Sequence, residues 1–349
     1  MCSPVSPWLP STSASRGEDR CLKAPRVRNR VNLVTVAMSL LLASCFDNSV
    51  RPEAVRNSSQ PGGGTTTRER AQRSPLLRTV EAAADGNAIV FASGRDGGLQ
   101  IYIMKADGSD QVRLTDQGAL NFKPAWSPDG RRIAFSSSRN GKADVYLMDA
   151  DGTHQRRLTT NPADDYNPRW SPDGRRIVFE STRDGNAEIY VMNADGTWQT
   201  RLTNSPALDG DPAWSPDGGR IVFASTRRNR DRSTDLWIMN TDGTRVRRLT
   251  ASPGQDELPT WSPDGRLIAF QSGRDGTPQI YTMWGDGSHQ LRVAIDSSFD
   301  VTPVWSPDGS HLAFVSSRSE YLRVFVMKAD GSGQIALTDN RGGDGEPDW

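Results

Sequence analysis

Apolar residues in this chain come in short runs, and the runs return at a fixed spacing. Residues 165 to 203 show one full unit. Pro168 and Trp170 stand two apart, which puts them on one face of a strand. Pro lacks an N–H, so this strand must carry an unpaired edge. Ser171-Pro172-Asp173-Gly174 follows and suits a type I turn, with Pro at a position that wants φ of about −65° and Gly last. Ile177-Val178-Phe179-Glu180-Ser181 reads as a second strand and Arg183-Asp184-Gly185-Asn186 as a hairpin turn. Glu188-Ile189-Tyr190-Val191-Met192 reads as a third strand, Ala194-Asp195-Gly196 as a turn, and Thr200-Arg201-Leu202-Thr203 as a fourth strand. Charge on that last strand, and on Arg156-Arg157 and Arg247-Arg248 elsewhere, marks an outer edge that resists pairing with other sheets.

The unit repeats. Trp126, Trp170, Trp214, Trp261, Trp305 and Trp349 are separated by 44, 44, 47, 44 and 44 residues, and the first five each open the sequence Trp-Ser-Pro-Asp-Gly. The second strand recurs around Phe91, Phe135, Phe179, Phe223, Phe270 and Phe314, and the Asp-Gly turn at Asp107, Asp151, Asp195, Asp242, Asp286 and Asp330. A four-strand unit of this length, six times over, predicts a propeller. The first copy has only Asp85-Gly86 ahead of Ile89, whereas the last ends in an extra Pro347-Asp348-Trp349. The halves complement each other. The expected fold is all-β, a six-bladed β-propeller of four-stranded antiparallel blades, closed by the C-terminal strand joining the N-terminal blade and leaving no raw edge at the join.

The repeat P-x-W-S-P-D-G-x-x-I-A-F-x-S resembles that of TolB-like propellers, and also the propellers of some prolyl peptidases. The resemblance covers roughly residues 85–349. It implies a cell-envelope protein with a protein- or peptide-binding face. Two departures stand out. Only a short tether precedes the propeller, where TolB carries an α/β domain. No G-x-S-x-G elbow is present for a peptidase's hydrolase domain.

Charge adds little, since 42 basic and 42 acidic residues cancel. That balance gives no whole-protein field to draw nucleic acid or an anionic membrane. The cysteines change the picture more. Cys2, Cys21 and Cys45 all precede the repeats, so the repeat region has no disulfide and no Cys-based metal site. Lys23, Arg26, Arg28 and Arg30 lead into an apolar run from Val31 to Ala43, which reads as an export signal. Leu42-Ala43-Ser44-Cys45 resembles a bacterial lipobox and makes Cys45 the expected lipidation site. By that resemblance Phe46, in place of Asp, leaves no obvious inner-membrane retention signal, so an exported lipoprotein, periplasm-facing or on the surface, is expected, held by the outer membrane rather than the inner. The long stretch before the basic segment suggests that the true start lies downstream. Residues 1–45 are thus an export signal, 46–84 a disordered tether too poor in apolar residues to offset chain entropy, and 85–349 the propeller.

Two polar rings invite a function. Asn121, Asp165, Asp209, Asp256, Asp300 and Asp344 each lie three residues before a blade Pro. Arg95, Arg139, Arg183, Arg227, Arg274 and Arg318 each lie four residues after a strand Phe. Chain direction puts both rings on one face. They could form a polar funnel for a charged peptide, glycan or cation. The alternative is an ion pair in each blade: Asp165 with Arg183, Asp209 with Arg227, Asp256 with Arg274, Asp300 with Arg318, and Asp344 with Arg95 across the closure. Repetition in every blade favours the pairs. Binding would then use residues that break the pattern: Asn121, Phe122, Lys123, Tyr166 and Phe299, with Arg228 and Arg230 of the one longer hairpin. His154, His289 and His311 stand apart, with no two-His-one-carboxylate or HExxH spacing. No catalytic residue, cofactor or metal is expected. The expected role is a non-enzymatic scaffold for an envelope protein or peptide, probing no nucleic acid, touching membrane only through its lipid, and monomeric. The competing class is an envelope lyase, lactonase or quinoprotein with a metal at the channel mouth.

Overall fold

The computed structural model describes residues 74–116, 118–229, 233–294, 298–339 and 341–349. Six four-stranded antiparallel sheets are arranged as blades. Blade 1 contains β1 (Ala88–Ser93), β2 (Gln100–Lys105) and β3 (Val112–Arg113). Blade 2 contains β4 (Asn121–Trp126), β5 (Arg132–Ser137), β6 (Asp144–Asp149) and β7 (Arg156–Arg157). Blade 3 contains β8 (Asp165–Trp170), β9 (Arg176–Ser181), β10 (Glu188–Asn193) and β11 (Thr200–Arg201). Blade 4 contains β12 (Asp209–Trp214), β13 (Arg220–Ser225), β14 (Asp235–Asn240) and β15 (Arg247–Arg248). Blade 5 contains β16 (Asp256–Trp261), β17 (Leu267–Ser272), β18 (Gln279–Trp284) and β19 (Leu291–Arg292). Blade 6 contains β20 (Asp300–Trp305), β21 (His311–Ser316), β22 (Arg323–Lys328) and β23 (Ile335–Ala336).

The ring closes as the split first and last repeats require. β24 (Asp344–Asp348) pairs with β1, Ser93 opposite Asp344 and Ala92 opposite Gly345, and so completes blade 1. Trp349 seals the join, its indole N–H donating to the Gly86 carbonyl at 3.1 Å.

The core lies between blades. All six strand phenylalanines, Phe91 to Phe314, are fully buried. Burying these rings together with the Ile, Val, Met and Trp side chains around them holds neighbouring blades together. The Ser-Pro-Asp-Gly turns form as the sequence requires. Gly174 N–H donates to Ser171 O at 2.9 Å, Ser171 Oγ donates to Asp173 Oδ1 at 2.6 Å, and Arg176 N–H donates back to Ser171 Oγ at 2.9 Å. Gly174 has φ +66, a region open to Gly at no steric cost.

One helix departs from expectation. Residues 46–84 read as a tether, yet Pro75–Ala84 form α1. Ser74 caps it, its Oγ accepting the Leu77 N–H at 3.2 Å, and Pro75 opens the first turn. Thr79 is fully buried and its hydroxyl reaches the Asp110 carbonyl at 3.1 Å. Arg78 Nη2 and Lys105 Nζ both meet the Asp110 carboxylate, at 2.5 and 2.7 Å, and hold it well below the usual carboxylate range. The composition of 46–84 as a whole masked a short helix whose stability comes from docking. Residues 46–73, the export signal and Cys45 lie outside the described residues. No helix among the described residues is long and apolar enough to cross a membrane.

Candidate functional site

Each innermost strand carries the same irregularity. In β4, pairing with β5 steps from Phe122–Ser136 to Ala125–Ala134, so two residues face one. The same shift occurs in β8, β12, β16, β20 and β24. The residue before the Pro is left-handed every time: Lys123 (φ 51), Asn167 (φ 56), Asp211 (φ 49), Leu258 (φ 52), Thr302 (φ 51) and Glu346 (φ 54). For Leu and Thr that conformation is an outlier. In three of the six the backbone N–H is turned sideways into a hydrogen bond. Lys123 N–H donates to Glu346 Oε2 at 2.7 Å, Asn167 N–H to Ser136 Oγ at 3.0 Å, and Asp211 N–H to Glu180 Oε1 at 2.8 Å. In each case the acceptor belongs to the preceding blade, so the bulge stitches neighbouring blades at the axis.

These six residues line a cavity of about 200 Å³ on the axis. Its walls continue through Arg169 and Asp348 to Trp126, Trp170, Trp214 and Trp261 and the turn residues Pro128 and Pro172. Beside it lies a second hollow of about 490 Å³, sharing Trp126, Pro128, Trp261 and Asp348 and bordered by Ala83, Trp305, Pro307 and Trp349. The site therefore runs from the bulge ring towards the Ser-Pro-Asp-Gly turns. Arginines from the preceding blade cover the tryptophans: Arg132 over Trp170 at 4.9 Å, Arg176 over Trp214 at 4.8 Å, and Arg220 over Trp261 at 5.7 Å.

Behind the ring sits a buried polar cluster. Asn167 Nδ2 donates to Glu180 Oε1 at 2.7 Å and to Asp211 Oδ1 at 2.9 Å. Glu257 accepts from Thr234 Oγ1 at 2.9 Å and from Gln271 Nε2 at 3.1 Å. Desolvation, and then the Asp211 charge, push Glu180 up to about 8 and Glu257 up to about 7. Asp211 and Asp348 are also raised by burial, against the pull of Lys123 and Arg169 on Asp211 and of Arg169 on Asp348. Burial and its acidic neighbours raise Tyr166 as well. Glu180 Oε2, Asp211 Oδ2, Asn167 Oδ1 and the Tyr166 hydroxyl find no hydrogen-bond partner. Among the described residues, no three His, Cys, Asp or Glu side chains are grouped to hold a metal.

The opposite end of the strands is tied up in ion pairs. Arg183 meets Asp165 at 3.0 Å, Arg274 meets Asp256 at 3.2 Å, Arg318 meets Asp300 at 3.0 Å, and Arg95 meets Asp344 at 3.1 Å. Arg227 pairs with Asp209 likewise. All five carboxylates are wholly buried. Arg139, whose blade has Asn121 instead, donates to Asn121 Oδ1 at 3.1 Å. Each of these arginines also lies over a strand Phe, as Arg183 does over Phe179 at 5.7 Å.

Of the candidate binding residues, the cavity gathers Lys123 alone. Asn121 is buried against Gln100, Tyr166 is buried above Glu180, and Phe122 packs with Ala92 and Leu99. Phe299 packs against Val301 and Val315. Arg228 is exposed, 5.9 Å over Trp237, and Arg230 lies outside the described residues. Sequence reading missed Asn167, Asp211, Glu346, Glu180 and Glu257. For Asn167, Asp211 and Glu346 the signal was their shared place directly before a blade Pro; Glu180 and Glu257 gave none. His154 bonds Asp149 at 2.7 Å and His289 stacks on Trp284 at 3.5 Å, both in the Asp-Gly turn regions away from the cavity lining.

Fold and hub together define a six-bladed propeller with a polar-floored, tryptophan-walled axial cavity. The sequence matches the TolB beta propeller domain over residues 80–167, 117–206, 163–231 and 208–349, and the chain belongs to that family. Among solved structures, TolB from Acinetobacter baumannii is similar at 22% identity and a TM-score of 0.66, over 75% of this chain and 66% of that one. The matched part is just under two thirds of that protein's length. A protein described as TolB from Agrobacterium tumefaciens is similar at 27% identity and a TM-score of 0.60, over 72% of this chain and 88% of that one. An oligogalacturonate lyase from Vibrio parahaemolyticus shares the fold at 18% identity and a TM-score of 0.53, over 73% of this chain and 75% of that one. No curated protein matches the sequence.

Proposed function

We propose that this protein is a non-enzymatic binding scaffold of the cell envelope, and that a segment of a protein or peptide partner enters the axial cavity from the tryptophan face. One observation carries this reading. The cavity couples a broad apolar mouth of Trp and Pro to a narrow polar floor, the arrangement that holds an extended side chain and fixes its orientation. Membership of the TolB propeller family supports a protein partner and an envelope location. The Cys45 lipobox supports an anchor. On this reading palmitate labels the wild-type chain and not Cys45→Ala; equal labelling of both would reject the anchor.

The mouth is tested by placing a photo-crosslinking residue at Thr260, in the cavity wall, and separately at Arg228, in the exposed hairpin. Envelope extract should yield a defined protein adduct from position 260 and none from 228. Adducts from 228 alone would reject the tryptophan face. No adduct from either, together with turnover of oligogalacturonate or a lactone, would favour the enzyme reading.

A further inference from the structure

We propose that Lys123 anchors a carboxylate carried by the segment that enters the cavity, an acidic side chain or a free C-terminus. This deepens the reading above and rests on it. Lys123 is only 3% exposed, and what exposure it has is in the axial cavity that it lines. Its backbone N–H is engaged by Glu346, and the left-handed bulge fixes its Cα at the ring. The Nζ is different: no carboxylate lies within ion-pair distance of it and it makes no hydrogen bond among the described residues. A lysine charge set this far inside a fold is usually paired, and here only the cavity is open to it.

The surrounding acids do not supply that partner. Glu180, Glu257 and Asp211 sense the Lys123 charge, but burial raises all three. Burial thus favours the neutral, protonated form of Glu180 and Glu257, which weakens their hold on the lysine. Asp211 Oδ1 already accepts from Asn167 Nδ2 at 2.9 Å, and neither of its oxygens is within ion-pair distance of the Lys123 Nζ. The other two acids in the lining are already engaged. Glu346 Oε2 takes the Lys123 N–H, while Asp348 takes the Trp126 N–H at 2.7 Å and faces Arg169 at 3.4 Å. Arg169 lies in the same wall and adds a second positive group on the path. The ring of six offers no other cation, since its remaining members are Asn167, Asp211, Leu258, Thr302 and Glu346. A guest carboxylate would find a pre-positioned donor facing the cavity, and a charge-assisted hydrogen bond there is stronger than a neutral one.

The test uses the full chain, uniformly ¹⁵N-labelled, and three short peptides, the first two capped at both ends and the third at its N-terminus alone. One has a central Asp, its twin has Asn, and the third has only Ala and a free C-terminus. The Lys123 signals should shift with the Asp peptide at a concentration at least about ten-fold below that needed for the Asn twin. Lys123→Gln should abolish the difference, and Lys142→Gln, on an exposed hairpin, should keep it. A shift with the free C-terminus alone supports the anchor and assigns it to chain ends. Equal binding of the Asp and Asn peptides in the cavity overturns the lysine anchor and leaves the binding face intact. No shift at Lys123 with any of the three overturns the anchor, and no shift at Thr302 or Asp211 either would reject the binding face as well. Should Lys123→Gln fail to fold, the Asp and Asn comparison on the wild type still decides.

Discussion

Single residues at the hub carry unusual burdens. Glu180 fits because position 210 is Gly: a Cβ there would stand 2.7 Å from Glu180 Oε2. Gly210→Ala should therefore destabilise the fold by about 1–3 kcal/mol, by overpacking alone. The cost should shrink when Glu180 is also changed to Ala, since the two effects share one contact. Urea unfolding of the two single variants and the double variant checks it. The raised acids also set a pH dependence. Between the ordinary Glu value of 4.5 and the folded values of about 7 and 8, the native state holds protons that the unfolded chain has released. Stability linked to Glu180 and Glu257 is thus full below about pH 4.5 and lost as pH rises through 7 and 8. The urea midpoint should fall from pH 5 to pH 8.5, and Glu180→Gln should flatten the slope. A midpoint that climbs over that range would contradict the buried, protonated cluster. The lowered acids of the turns, such as Asp173 and Asp217, act in the opposite sense but only below their ordinary 3.8.

Among elements, α1 has a particular task. The Gly of each Ser-Pro-Asp-Gly turn packs towards the turn Pro of the preceding blade, as Gly174 does on Pro128 and Gly218 on Pro172. Blade 1 has no such Pro to offer blade 2. There the helix end takes its place, and a Cβ on Gly130 would fall 2.3 Å from the Ala83 carbonyl oxygen. Gly130 and Gly174 share nearly the same φ, +64 and +66, so the backbone strain of an Ala is common to both. Gly130→Ala should cost about 1–3 kcal/mol more than Gly174→Ala, because only the first must displace α1. Comparing thermal unfolding of the two, and of the same pair with Arg78→Ala to loosen the helix, checks this. The helix was hidden in the sequence because 46–84 reads as polar and its few apolar residues match a groove rather than each other. The four-residue turns were legible, since Ser, Pro, Asp and Gly each have a local reason to be there.

At the scale of the whole molecule, the ring depends on one non-local join. Removing residues 344–349 would strip β1 of its inner partner, leave Gly86 without the Trp349 indole, and take Glu346 and Asp348 from the hub. Such a chain should lose cooperative unfolding and expose a sheet edge open to association. Broad thermal transitions and higher-order species in light scattering would show it; a sharp, monomeric transition near that of the intact chain would mean that the join is dispensable.

The number of blades, the strand order within each and the complementary chain ends follow from the sequence alone. They rest on patterns local to one repeat, and repetition makes the same small inference six times. The Asp–Arg pairing was legible for the same reason, since both partners sit in one blade at a constant offset. The location and character of the cavity were decided only by tertiary structure. Lys123, Asn167, Asp211, Leu258, Thr302 and Glu346 are far apart in sequence and chemically unlike. Only the left-handed bulges and the closing of the ring bring them to one axis, where they line a single cavity and where the Lys123 Nζ has no hydrogen-bond partner among the described residues.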